Sequence, residues 1–211
     1  MSTLFFKRFL TRPMQVASII PSSKQLIRRV SSKFDFSEPR VIAEYGPGEG
    51  CHTREIVRQM HQKSTLLLFE LDPELANHLR HQFRHDPRIH VINANANDIS
   101  AELHKRGIEY CDYIVSGIPF STMEIKTKRA LLQKTFEALS PKATSAFIIY
   151  QVTNELRQHA TVFPRADSEY CLQNIPPMFV TVFYKQPLNG QNGHNGHSHP
   201  NASNGNGSGR H

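Results

Sequence analysis

The chain has 211 residues, 38% of them hydrophobic, and carries 25 Lys and Arg against 18 Asp and Glu, which fits one domain with short extensions. The formal net charge of +7 favours an anionic partner, either nucleic acid or an acidic membrane surface, without choosing between them. Three scattered cysteines, Cys51, Cys111 and Cys171, form no CxxC pair; this argues against a disulfide framework or a metal site and for a reduced cytoplasmic setting, and no apolar run approaches the roughly 20 residues of a spanning helix.

The N-terminal stretch STLFFKRFLTRPMQ sets Leu4, Phe5, Phe6, Phe9 and Leu10 against Lys7, Arg8 and Arg12. Apolar positions recur at helical spacing and the polar face is wholly basic, the pattern of a helix lying in an anionic membrane interface. Each cation near such a surface contributes about 1 kcal/mol. The competing reading is a helix packed on the domain's own core. A second basic segment, KQLIRRVSSK at 24–33, either extends the patch or is the solvated face of a helix. Residues 1–36 are accordingly read as an amphipathic, basic helical segment.

Short apolar runs follow at 41–45, 66–70, 89–93, 113–116 and 146–150. They lack polar alternation, as strands buried on both faces do. Helical spacing occupies 55–61, 73–83 and 125–139, with Pro73 after Asp72 suited to a capped first turn. Strand and helix alternate, which predicts an α/β fold with a mostly parallel sheet and helices on both faces. The run MFVTVFY at 178–184 is a last strand, and SEYCLQN before it a candidate hairpin partner, giving a terminal antiparallel hairpin. This domain spans 37–185. The Asn-, Gly- and His-rich remainder, 186–211, holds too little apolar surface to offset its ordering entropy and reads as a disordered tail.

The segment VIAEYGPGEG joins the first strand to the first helix of this pattern. Its spacing is GxGxG, at Gly46, Gly48 and Gly50, rather than the dinucleotide fingerprint, and Pro47 removes a backbone donor. Glu44 and Glu49 repel phosphate. The loop therefore suits a nucleoside-like ligand with a cationic end, such as S-adenosylmethionine, with Glu44 for the ammonium and the glycines for close backbone approach. Glu70, about twenty positions downstream at a strand end, is placed to accept from ribose hydroxyls.

On the glycine loop and Glu70 the chain resembles the class I S-adenosylmethionine-dependent methyltransferases, from about residue 41 to 184. The resemblance implies a Rossmann-like, seven-stranded sheet and a cofactor site of Glu44, Tyr45, Gly46, Gly48, Gly50, Glu70, Leu71, Asn95, Ala96 and Ser116. Asn95 stands where that superfamily usually has Asp; its carbonyl can accept from the adenine amino group while the Ala96 N–H donates, and Asp98 is the alternative. After the fourth strand, base-amine methyltransferases carry Asn or Asp, a residue, then Pro and an aromatic; here the positions read Ser116, Gly117, Ile118, Pro119 and Phe120. The carboxamide is missing. An alkyl amine, held by backbone carbonyls and the face of Phe120, needs it less. SGIPF, together with VASIIPSSKQL, YQVT and NIPPMFV, resembles the bacterial phospholipid N-methyltransferases. That resemblance implies a phosphatidylethanolamine-type substrate, an anionic membrane surface contacted through Phe5, Phe6, Lys7, Arg8, Phe9 and Arg12, and a peripheral position on the inner membrane, with no nucleic acid and no obligate protein partner expected. The alternatives are an RNA adenine methyltransferase, because the PSS segment and IPF also resemble the ribosomal RNA adenine dimethylases, and a membrane-surface protein with an inactive fold. No residue declares itself as a general base; Tyr45, His52 and Glu124 lie near the right loops.

Overall fold

Strands that are apolar at every position need cover on both faces, and helices supply it here. The computed structural model describes residues 22–187; the basic, Phe-rich N-terminal stretch and the tail beyond 187 lie outside the described residues. One seven-stranded sheet has the order β3-β2-β1-β4-β5-β7-β6. Its strands are β1 (Val41–Tyr45), β2 (Thr65–Phe69), β3 (Ile89–Ile92), β4 (Tyr113–Ser116), β5 (Ala146–Gln151), β6 (Arg165–Cys171) and β7 (Met178–Tyr184). The first five are parallel, with Ile42 level with Leu66 on one side and Tyr113 on the other. β7 runs antiparallel between β5 and β6, so Phe147 pairs Phe183. The expected mostly parallel sheet with a terminal antiparallel hairpin is present.

Alternate residues of each strand feed two core layers. One layer gathers Ala43, Tyr45, Leu67, Phe69, Phe147 and Phe183, covered by α4 (Ile99–His104) and α5 (Ile125–Ala138) through Ile99, Leu103, Leu131 and Leu132. The other gathers Ile42, Leu66, Leu68, Val115, Ile148 and Val180, covered by α1 (Lys24–Ser31), α2 (Cys51–Gln59) and α3 (Pro73–Gln82) through Leu26, Val30, Ile56 and Leu79. Each such large side chain, fully buried, contributes about 1.5–3 kcal/mol.

Several boundaries differ from the expectations, for local reasons. α2 begins at Cys51, not at 55, because Gly50 caps it in the left-handed conformation and the buried His52 and Thr53 carry no apolar signal. β2 stops at Phe69, so Glu70 lies just past the strand, its N–H donating to the Ile92 carbonyl at 3.0 Å. β6 starts at Arg165 because it is a polar edge strand, RADSEYC, without alternation. Two short helices, α4 and α6 (Leu156–His159), were not expected. The segment 24–33 is the solvated face of a helix: α1 buries Leu26 and Val30 in the sheet's core, while Arg29 and Lys33 both pair with Glu169 on β6.

Because β7 is antiparallel, the 172–177 turn lies at the same end of the sheet as the carboxyl ends of β1, β4 and β5. Asn174, wholly buried, holds this turn. Its Nδ2 donates to the Pro176 carbonyl at 2.9 Å, and its Oδ1 accepts from the Ser23 N–H at 2.8 Å, just where Ser23 caps α1. Turn and helix start are therefore one structure. Asn174→Ala leaves two backbone groups without partners and should cost about 2 kcal/mol, or a fall of roughly 4–8 °C in Tm, by urea titration and calorimetry; an unchanged midpoint would show the linkage to be incidental.

Candidate functional site

The loop from β1 to α2 turns back over the sheet's carboxyl end because its three glycines adopt positive φ: 65° at Gly46, 58° at Gly48 and 75° at Gly50. A side chain at Gly46 would meet Ile118 Cγ1 at 3.2 Å, whereas nothing lies within 4 Å of where a Cβ would stand on Gly48. Backbone at Gly48 is thus open to a ligand. The Gly48 N–H donates to Glu70 Oε2 at 3.0 Å, and the Asp72 N–H donates to Oε1 at 3.0 Å. Asn93 Nδ2 clamps the same strand end from β3, donating to the Glu70 and Leu71 carbonyls at 2.9 and 3.1 Å. Glu70 is therefore a preset carboxylate between the glycine loop and α3. Leu71 beside it is largely exposed.

Glu44, near the end of β1, is buried. Its Oε2 accepts from Thr53 Oγ1 at 2.7 Å, while Oε1 has no hydrogen-bond partner. Loss of hydration pushes this carboxyl up to about 7; the Thr53 hydroxyl opposes the shift, the charge of Glu70 adds to it and Arg54 opposes it. A buried carboxylate oxygen without a donor is a place for a cation or an N–H.

Beside it, His52 Nε2 and Ser22 Oγ share a hydrogen bond of 2.9 Å, and the His52 ring stacks on Tyr150 at 4.2 Å between centroids. Burial pulls His52 down to about 3, so the ring is neutral. Tyr150 is raised well above the ordinary phenol range by burial and by Glu44. Its Oη lies 2.5 Å from where a Cβ would stand on Gly117, so only glycine fits there. Neither His52 nor Tyr150 is a base of ordinary strength. Nothing in the spacing of the sequence connects Tyr150, His52 and Ser22, although YQVT and PSS contain two of them.

The loop after β4 is tied down at each step. The Gly117 N–H donates to the Tyr45 carbonyl at 3.0 Å; Ser116 Oγ accepts from the Ile118 N–H at 3.2 Å; the Ile118 carbonyl accepts from Gln151 Nε2 at 3.1 Å; the Pro119 carbonyl accepts from Thr122 Oγ1 at 2.8 Å. Gly46, Gly48, Glu44, Glu70, Gly117 and Ile118 come together at one rim.

Three expectations need correction. Phe120 does not offer its face to an amine: it is wholly buried, edge-on to Phe147 at 6.1 Å, because the turn at 120–122 folds the ring into the core. The Tyr45 side chain is likewise in the core, edge-on to Phe69 with Thr135 Oγ1 at 3.5 Å from its hydroxyl, so only its backbone reaches the site. The Ser116 hydroxyl is spent on its own loop. Asn95 is exposed, but its Oδ1 accepts from the Asn97 N–H at 2.9 Å and Asn97 Nδ2 at 3.1 Å as the cap of the 96–98 turn; Asp98, one turn on, is exposed and makes no capping bond. Ala96 is buried next to it.

The donor set fits a nucleoside-like cation. The loop has no lysine and carries acid at the end of each of β1 and β2, so it offers anions to an ammonium and a preset carboxylate to a diol, and nothing to a phosphate. The fit rests on the bare Glu44 oxygen and the open side of Gly48.

Comparison with known proteins agrees. The sequence model of the family described as Ribosomal RNA adenine dimethylase matches residues 15–164. The chain is 28% identical over 174 residues to an ornithine lipid N-methyltransferase of Singulisphaera acidiphila, covering 82% of this chain and 91% of that one. It is 26% identical over 113 residues to the ribosomal RNA small subunit methyltransferase A of Mycoplasma capricolum, covering 49% of this chain and 41% of that one. A methyltransferase structure from Geobacter sulfurreducens shares the fold at a TM-score of 0.60 and 14% identity, covering 87% of each chain.

The raised carboxyl of Glu44 has a thermodynamic sign. Its folded value, about 7, lies above the ordinary 4.5, so the folded state holds the proton more tightly; stability present below pH 4.5 is lost as pH rises through 7. The loss is on the order of 3 kcal/mol. Glu44→Gln should remove this slope and be the more stable protein at pH 8, with little difference at pH 4. Parallel stability curves for the two proteins from pH 4 to 8, by urea titration, would contradict the assignment.

Proposed function

The chain belongs to the ribosomal RNA adenine dimethylase family and is an S-adenosylmethionine-dependent methyltransferase, and from that premise we propose that its acceptor is the amine of a lipid headgroup. The observation that carries this reading is the loop after β4. Where a planar base amine needs a side-chain acceptor, Ser116 is buried and its hydroxyl is bonded within the loop. An sp³ amine needs less directional holding than a planar base amine, and the missing side-chain acceptor costs it less. The likeness in sequence supports the same choice: the lipid methyltransferase aligns with most of the chain, the ribosomal relative with about half. The substrate class is a lipid with a primary amine near an anionic group, as in ornithine-type lipids or phosphatidylethanolamine. The enzyme works at an anionic membrane surface on the cytoplasmic side, held peripherally by the basic, Phe-rich N-terminal stretch. The second reading, methylation of an RNA adenine, rests on the family match itself.

In this reading Glu44 holds the ammonium end of the methyl donor, Glu70 its ribose hydroxyls, and Gly48 admits the donor's close approach. S-adenosylmethionine supplies the sulfonium methyl for in-line transfer to a neutral amine. The protein's part is to orient the two and to exclude water, and orientation is worth roughly 7–11 kcal/mol. Gly117, packed between the Tyr150 hydroxyl and the Gly46 carbonyl, fixes where the acceptor nitrogen stands. Desolvation in the rim lowers the amine's own pKa, so the neutral form is available without a strong protein base.

Radiolabelled methyl transfer, scored into lipid extract and into RNA from the same reaction, decides the acceptor; label in RNA alone would overturn the lipid reading. Glu70→Ala should weaken cofactor binding by calorimetry at least about tenfold, the loss of one charge-assisted hydrogen bond, and unchanged affinity would take Glu70 off the ribose. A cationic donor favours the Glu44 carboxylate, so affinity should rise from pH 6 to 8, and Glu44→Gln should flatten that rise.

A further inference from the structure

The large apolar side chains left exposed among the described residues are Leu71, Ile125, Val152, Tyr170, Leu172, Ile175 and Tyr110. All but Tyr110 lie at or next to the carboxyl ends of the parallel strands, the end that carries the glycine loop and the acceptor rim. Leu71 borders Glu70 and belongs to the cofactor site. The densest group is on the β5–β7–β6 side: Val152 after β5, Tyr170 near the end of β6, and Leu172 and Ile175 in the turn to β7. Ile175 is 90% exposed and Leu172 68%.

This turn is not a loose loop that leaves its side chains outside by default. Asn174, wholly buried, fastens it to the Pro176 carbonyl and to the Ser23 N–H, and Tyr170 packs on Phe179 at 4.6 Å between centroids. A fixed turn that presents Leu172 and Ile175 to water at full cost is expected where those side chains have another medium to enter. The charges around it agree. Glu169 is matched by Arg29 and Lys33, Asp167 by Arg165 and Glu155 by Lys128, while Lys24, exposed at the first position of α1, has no ion pair among the described residues. The described part of the chain also begins here, with Ser23 bonded to Asn174; Phe5, Phe6 and Phe9, among their cations, belong to the sequence upstream of it.

We propose that the β6–β7 turn, through Leu172 and Ile175 with the exposed Val152 after β5, is a docking surface that inserts into a lipid bilayer containing anionic lipid. It rests on the lipid-amine reading in one respect, that the substrate arrives in the plane of a bilayer. The bilayer surface then meets the acceptor rim directly, and a headgroup amine reaches the loop after β4 without its lipid leaving the membrane.

The test measures sedimentation with vesicles of phosphatidylglycerol and phosphatidylcholine in equal parts. It compares the full chain, the variant Leu172→Ser/Ile175→Ser, the variant Phe5→Ser/Phe6→Ser/Phe9→Ser, and the two combined. The turn variant should lose about tenfold or more in partition coefficient, with cofactor affinity and Tm unchanged, and should lose the same factor on the Phe-substituted background. Unchanged partition overturns the proposal. So does a loss that vanishes on the Phe-substituted background, which would mean that the turn holds the N-terminal stretch rather than lipid. A parallel shift from dimer to monomer in light scattering also overturns it, since the turn would then pair two copies. Failure of the substrate reading is seen separately: a chain that binds vesicles through this turn, yet labels no lipid amine, keeps the docking surface and loses the lipid as substrate.

Discussion

The site depends on one costly placement: a carboxylate, Glu44, buried at the end of a central strand with one oxygen bonded to Thr53 and the other bare. Burial on both sides of β1 is what makes the placement costly. A fold does not keep such a group for its own stability. Its value is to a ligand that brings a positive charge or a donor to the bare oxygen. Around it the loop glycines open the backbone, and Glu70, clamped by two amides, adds a second fixed anion. Two acids at strand ends make this rim electrostatically unfavourable to phosphate.

Much of this arrangement could be read from residues in order. Strands buried on both faces announce themselves as unbroken apolar runs, and β1, β4 and β7 fall where the runs do. Acid residues flanking a glycine loop are chemically odd enough to point to a cationic ligand before any geometry is known. The first residues of the edge strand β6, from Arg165 to Asp167, escaped because solvent on one side lets its sequence be polar. The start of α2 escaped because its first turn buries His52 and Thr53, which carry no hydrophobic period.

Side-chain direction was the harder part. The order Ser-Gly-Ile-Pro-Phe says that a loop follows β4, but not that the turn after Pro119 sends Phe120 inward to Phe147, nor that the Ser116 hydroxyl closes on its own loop. Contacts between distant positions were equally hidden. Ser22, His52, Gly117 and Tyr150 meet only because the starts of α1 and α2 converge on the carboxyl ends of β4 and β5. Spacing within a motif cannot show that, since the constraint comes from strand order.

The reversed direction of β7 has a practical side. It carries the chain from the 172–177 turn to the far end of the sheet, where Gln186 Nε2 donates to the Pro141 carbonyl at 3.0 Å, while Ser22 and Ser23 lie at the opposite end, against His52 and Asn174. A probe attached at residue 187 therefore sits at the end of the sheet remote from the glycine loop, and one at Ser22 sits beside His52.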